Sequence, residues 1–223
     1  MKYIGLDLAG TTNARDTVAA IFDDQGSSLA CIGIVNDLKD DDIYDLVRSY
    51  ALIDRVVMGI DAPLSYQFGQ GNRPSDISLR NAIASIGMKH ASVMAPTAPG
   101  MIYLTLRGVA LTRGIGKLSD GEKIELVEVH PGATLGLHHG RVPVPPHLLS
   151  YKADGNLADR ALIVQWLMES MQMTGIDRHL SAALTSHEVD ACAAALGAWK
   201  WKIGNPIWCC RASGLDHPYD FSC

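Results

Sequence analysis

Three apolar runs carry a carboxylate at or near their ends: Tyr3-Ile4-Gly5-Leu6-Asp7, Val56-Val57-Met58-Gly59-Ile60-Asp61 and Leu126-Val127-Glu128-Val129-His130-Pro131. A fourth acid, Asp190, lies in His187-Glu188-Val189-Asp190-Ala191, near the start of an expected helix. An ionised carboxylate at the end of a buried strand is costly unless a cation or hydrogen bonds offset its charge. Converging acids of this kind would hold one or two Mg²⁺ or Mn²⁺ ions through hard oxygen ligands. Two such ions, ~3.5–4 Å apart, can clamp the attacking and leaving oxygens of a phosphodiester. The expected ligands are Asp7, Asp61, Glu128 and Asp190, with Asp7 shared from the central strand. His187 lies three residues before Asp190, hence on the same helical face, as a further ligand or a proton carrier. These five residues are the candidate catalytic set. Each also has an ordinary role open to it, since aspartates cap turns at strand ends and histidines sit at helix starts.

The acids need elements that bring them together. Side chains alternate along a strand, so Gly5 shares a face with Asp7 and Gly59 with Asp61. A missing side chain below each acid lets another element approach the sheet closely. The final helix is a candidate for that element. Thr185-Ser186-His187-Glu188 has the form of a capping box, which gives Glu188 a structural role. His187, Asp190, Ala191, Ala194 and Ala198 line one face of the helix. That small-residue face would pack on the glycines and carry Asp190 towards Asp7 and Asp61.

Around these pieces the pattern predicts strands over residues 2–8, 16–22 and 29–35 as an antiparallel meander. A helix over 40–50 and a buried parallel strand over 55–60 follow. Residues 62–117 read as an insertion: an irregular start that includes Gly69-Gln70-Gly71-Asn72, a helix near 75–86 and a second helix after Pro99. A fifth strand spans 124–129 and is stopped by Pro131. Val142 to Pro146 reads as a rigid extended linker. Residues 156–173 are expected as a helix, and Thr185 opens the last one. The layout is that of an α/β fold and resembles a ribonuclease H-like one: a single domain over 1–223 is expected, with a mixed five-stranded sheet ordered 3-2-1-4-5, strand 2 antiparallel, and helices on both faces.

The 223 residues are 48% hydrophobic and 19% charged, enough for a full core and unlike a disordered chain. No run approaches the ~20 apolar residues of a membrane span, and the N-terminus lacks signal-peptide regions. No membrane partner and a cytoplasmic location are therefore expected. The five cysteines, at positions 31, 192, 209, 210 and 223, have no framework spacing and read as reduced. The net charge of −5 is unlike a general nucleic-acid binder, yet residues 72–117 carry +5 and the remainder −10. A basic insertion beside acids could hold a phosphate chain near metals, with Arg73, Arg80 and Arg15 as substrate-binding candidates.

Taken in order, Ile4-Gly5-Leu6-Asp7 with Thr12 to Thr17, Gly59 to Leu64, Arg73-Pro74-Ser75-Asp76, Glu128-Val129-His130-Pro131 and His187 to Ala191 resemble the domain of unknown function 429 family. The last helix is also similar to that of RuvC-type junction resolvases. The resemblance implies a ribonuclease H-like fold and a predicted nuclease activity. It points to Asp7, Asp61 and Asp190 as the acids, followed by Glu128 and His187, with a nucleic acid or other phosphate-containing substrate. Asp7 to Thr12 also looks like the first phosphate loop of the actin-like ATPases and sugar kinases. The chain is too short for two such domains, although a small homodimeric kinase would fit, and no glycine-rich adenosine motif follows. A catalytically inactive binding module with the same fold is the third reading.

Overall fold

The computed structural model describes residues 1–69, 71–118 and 123–223. Gln70, within the irregular start expected for the insertion, lies outside the described residues. Strands β1 (Lys2–Asp7), β2 (Val18–Asp24) and β3 (Leu29–Val35) form the antiparallel meander. Helix α1 (Asp40–Ile53) returns the chain to β4 (Val56–Asp61), which pairs parallel to β1 with Gly5 opposite Gly59 and Asp7 opposite Asp61. Strand β5 (Ile124–Val129) pairs parallel to β4.

The fold is mixed α/β, with a larger sheet than the five strands expected. Three two-residue strands extend it: β6 (Met173–Thr174) beside β3, β8 (Phe221–Ser222) beside β5, and β7 (Cys209–Cys210) on β8. The order is β6-β3-β2-β1-β4-β5-β8-β7. Two residues show no periodicity, so strands this short escape a pattern-based reading. Met173 was expected in a helix; that helix, α6, covers Leu157–Glu169, and the chain passes Gln172 at φ 60° before pairing with β3.

The insertion holds α2 (Pro74–Ser85) and α3 (Ile102–Ile115). Pro131 does not merely stop β5. It is the first residue of α4 (Pro131–His139), where a proline's missing N–H costs nothing. His130 caps that helix by accepting from the Ala133 N–H at 3.1 Å. The expected linker 142–146 leads into the short α5 (His147–Ser150).

Two cores flank the sheet. On one face Ile4, Leu6, Met58 and Ile60 pack with Ile43 and Val47 of α1 and Leu111 and Ile115 of α3. On the other, Tyr3, Val57, Val127 and Val129 pack against the last helix, α7 (Ser186–Lys202), with Ile163 and Leu167 of α6 and Ala133 and Leu135 of α4. Helix α2 adds Leu79 and Ile83 to this second core, so the insertion contributes to both sides of the sheet. Helix α7 is buried from Glu188 to Trp199. A Cβ on Gly5 would run into the Ala191 carbonyl oxygen and the Ala195 nitrogen, and one on Gly59 into the Ala194 carbonyl oxygen. The two glycines are what let α7 lie on the sheet.

Candidate metal centre

Parallel pairing in register puts Asp7 and Asp61 side by side at the ends of neighbouring strands, on the face covered by α7. The close helix–sheet approach brings Asp190 to the same point. One carboxylate oxygen from each of Asp7, Asp61 and Asp190 lies within 4.8 Å of the others. Asp7 and Asp190 are buried, and Asp61 is partly so.

The start of α7 is fixed by its cap. Thr185 Oγ1 accepts from the Glu188 N–H at 3.2 Å, and Glu188 Oε2 accepts from the Thr185 N–H at 2.8 Å. Glu188 also accepts from the Ser181 N–H, which confines it to the structural role. That leaves His187 facing the acids, its Nδ1 2.7 Å from Asp7 Oδ2 and its side chain 41% exposed. Arg107 of α3 steadies the loop after β1: Nη1 donates to the Ala9 carbonyl at 2.6 Å and to Thr17 Oγ1 at 2.7 Å, and Nε donates to Asp40.

Two partners of Asp190 were not foreseen. The Tyr151 hydroxyl donates to Oδ1 at 2.5 Å, and Lys152 Nζ lies 2.7 Å from Oδ2. Arg160 holds this segment by donating to the carbonyls of Tyr151, at 2.7 Å, and Ala153, at 2.9 Å. A tyrosine–lysine pair in a turn has no periodic or motif signal. Only a three-dimensional neighbour gives it meaning.

Burial raises the pKa of Asp7, against the lowering effect of the His187 hydrogen bond. Burial raises Asp61 further, and the adjacent Asp7 charge adds to it. The bond to Asp7 raises His187 in turn, against a smaller opposing effect of burial. For Lys152 burial works against the charge, but Asp190 and Asp61 outweigh it and keep the ammonium protonated. Asp61 has no cation or nitrogen donor of its own among the described residues. Three converging hard oxygens, one of them from a carboxylate with no ion pair or nitrogen donor in contact among the described residues, suit a divalent cation such as Mg²⁺ or Mn²⁺.

Glu128 stands apart. Its register partner is Ile60, one residue before Asp61, so it points to the opposite face of the sheet from Asp7 and Asp61. Its oxygens accept from Arg73 Nη2 at 2.5 Å, from Arg73 Nη1 at 2.8 Å and from the Leu64 N–H at 2.8 Å. It is outside the ligand cluster expected of it. Arg73 binds Asp76 as well, with Nη2 donating to Oδ1 at 2.7 Å, so it is buried and locks α2 to β5, its donors taken up by internal oxygens. Arg80 donates to the Val93 carbonyl at 2.7 Å. Arg15 is exposed in the single turn Ala14–Asp16 between β1 and β2.

Residues 5–212 match the family described as "Protein of unknown function (DUF429)". The chain belongs to this family. The match runs from within β1 through β7 and takes in all three aspartates of the cluster. No curated protein matches the chain.

Beside the centre lies a cavity of ≈ 660 Å³, bounded by the end of β4, the insertion, the start of α4 and the α5 turn. Asp61, Tyr151 and Lys152 form part of its wall. Among the described residues no helix is long and apolar enough to cross a membrane.

Proposed function

We propose that this member of the family is a metal-dependent nuclease of the ribonuclease H-like type, acting at Asp7, Asp61 and Asp190. The observation that carries the reading is the meeting of three carboxylates from β1, β4 and α7 within 4.8 Å. The run β3-β2-β1-β4-β5 inside the sheet supports the fold comparison, with the acids at the ends of its two central parallel strands. The unpaired state of all five cysteines supports a reducing, cytoplasmic setting.

Asp7, Asp61 and Asp190 would hold Mg²⁺ or Mn²⁺, which supplies Lewis-acid polarisation of a phosphoryl oxygen and a more acidic water. Asp7 is oriented by His187, and Asp190 by Tyr151 and Lys152. His187 is exposed enough to exchange a proton with solvent while it remains bonded to Asp7. Lys152 offers its remaining N–H donors to an anionic oxygen beside Asp190. Glu128 and Arg73 keep the strand ends and the insertion in register without touching the chemistry.

The test is cleavage of single-stranded, duplex and branched nucleic acids with Mg²⁺ or Mn²⁺, run beside ATP turnover. Wild type should cleave at least one of the nucleic acids, and Asp7→Asn should lose about 10²-fold or more in rate, the scale of removing a charge-stabilising group. ATP hydrolysis with every nucleic acid intact would replace this reading with the kinase-like one.

A further inference from the structure

The cavity beside the centre has a particular distribution of polar capacity. Much of its wall is apolar, with Met88, Met94, Met101, Val93, Leu104 and Leu148 on it. The polar groups inside are already committed. Arg73, Asp76 and Glu128 bond one another. His130 has both ring nitrogens engaged, Nδ1 by the Ala133 N–H and Nε2 at 2.9 Å from the Ser92 carbonyl. The Tyr151 hydroxyl goes to Asp190. Open polar capacity remains with Asp61, with Lys152 and with the exposed Lys89, which has no acid within ion-pair distance among the described residues.

Such a pocket suits an amphipathic ligand whose apolar body enters and whose anionic end stays at Lys152 and Lys89. Its size is that of a small-molecule site, ~300–1,000 Å³. Three methionines favour a flat aromatic body, because thioethers adapt their shape and make good contacts with rings. The charge of the chain points to recognition on the scale of one nucleotide. The net charge is −5, and Arg73, Arg80 and Arg107 of the basic segment are tied to internal oxygens, so no long cationic track remains there for a nucleic-acid backbone.

We propose that this cavity receives one unstacked nucleobase without reading which base it is, while the phosphate attached to it lies at Asp61 and Lys152. The inference rests on the nuclease reading for the place of the phosphate, and it specifies the substrate class: an unpaired nucleotide, not an intact duplex. Thioether contacts with the ring and burial supply the affinity. Beyond Lys152, Lys89 and Asp61, which lie at the phosphate end, the side-chain polar groups among the described residues of the wall are already engaged, which makes the pocket indifferent to base identity.

The experiment measures binding of a 2-aminopurine–thymidine dinucleotide to the full chain without added metal, from the fluorescence of the 2-aminopurine base. The same sugar–phosphate dinucleotide lacking both bases, and used as a competitor of the fluorescent probe, is the abasic control. Two variants close the cavity from its rim: Ala91→Trp fills it and Met94→Glu places a charge in it. Both positions are exposed, so folding should be retained, as circular dichroism will verify. Wild type should bind the base-bearing probe about tenfold more tightly than the abasic one, and either variant should erase that preference. Dinucleotides carrying adenine, cytosine, guanine or thymine should agree within about threefold, as sequence-tolerant stacking requires. Equal binding of base-bearing and abasic probes overturns the proposal, as does a preference that survives both variants, strong discrimination among bases, or tighter binding of duplex than of single strand. A nucleoside monophosphate and a short single strand, assayed together, distinguish a free nucleotide from a strand as the source of the base. Mn²⁺ titration of the same samples separates the two claims. Mn²⁺ binding without base preference overturns the cavity proposal alone, and base preference without Mn²⁺ binding overturns the metal centre alone.

Discussion

Two buried charge clusters sit at the same end of the sheet and border one cavity, with Glu128 pointing to the opposite face of the sheet from Asp7 and Asp61. Arg73, Asp76 and Glu128 form one; Asp7, Asp61 and Asp190 form the other. In the first, a guanidinium lies between two carboxylates, and the Leu64 N–H completes Glu128. In the second, three carboxylates have one lysine and one histidine between them, and Asp61 has neither. In the first cluster each carboxylate has a guanidinium and a backbone N–H in contact, and the cluster fastens the insertion to the sheet. In the second, Asp61 has no such partner among the described residues, which folding alone gives no reason to bury. Direct partners for every carboxylate are what separate a buried acid that acts as a fastener from one left open to a ligand.

The comparison breaks most visibly at Glu128. Glu128→Ala leaves Arg73 with Asp76 as its one carboxylate and the Leu64 N–H without its acceptor, so urea denaturation should show a loss of ~3 kcal/mol, the low end for breaking a buried pair. A loss below about 1 kcal/mol, the scale of exposed pairs, would mean that the fastener is no fastener.

A smaller effect is expected at the glycine under Asp7. Gly5→Ala places a methyl against the Ala191 carbonyl and the Ala195 nitrogen, and overpacking of this kind costs ~1–3 kcal/mol. Because the strain falls on α7, which carries Asp190, Mn²⁺ affinity should drop together with stability. Retained affinity in a destabilised Gly5→Ala protein would uncouple the metal centre from the helix–sheet contact.

The smallest effect, and the one that sharpens the contrast, is the pH response. Asp7 and Asp61 titrate above the ordinary 3.8 in the folded state, so the folded protein retains protons that the unfolded chain releases. Their contribution to stability is complete below 3.8 and is lost as pH rises through the raised values. His187 acts in the same direction, its contribution present below 6.5 and lost above its own raised value. Metal-free protein should therefore lose stability as pH rises, and Asp61→Asn should flatten that slope. Saturating Mn²⁺ should reverse it, since the ligands must deprotonate to bind. Urea midpoints across pH, with and without Mn²⁺, give the sign directly; a metal-free midpoint that climbs with pH would contradict it.

Much of this was legible in the sequence for definite reasons. Apolar runs ending in acids located β1, β4 and β5, and Gly5 and Gly59 with the alanines of α7 indicated a close contact before any geometry was known. The antiparallel meander follows from run length and turn residues, whereas the places of the two parallel strands were expected from the ribonuclease H-like layout and not from the runs themselves. Glu128 was misjudged because a strand run shows which residues share a face within that strand, but not the register between strands. A single-residue offset against β4 sends Glu128 to the other side. Tyr151 and Lys152 were invisible for a different reason: their role comes from Asp190, distant in sequence, and from the Arg160 side chain that holds their turn, through contacts that no local pattern encodes. The short strands β6, β7 and β8 exist because a neighbouring edge offered pairing, not because two residues favour a strand.

The most direct test of the central claim is calorimetric titration of Mn²⁺ into wild type, Asp61→Asn and Glu128→Gln, with each variant first shown to be folded. Wild type and Glu128→Gln should bind the ion with similar affinity, and Asp61→Asn should lose binding by about tenfold or more, the scale of removing one charged ligand. Absence of binding to wild type, equal binding to Asp61→Asn, or loss on Glu128→Gln alone would contradict the assignment of one cluster to the metal and the other to the fold.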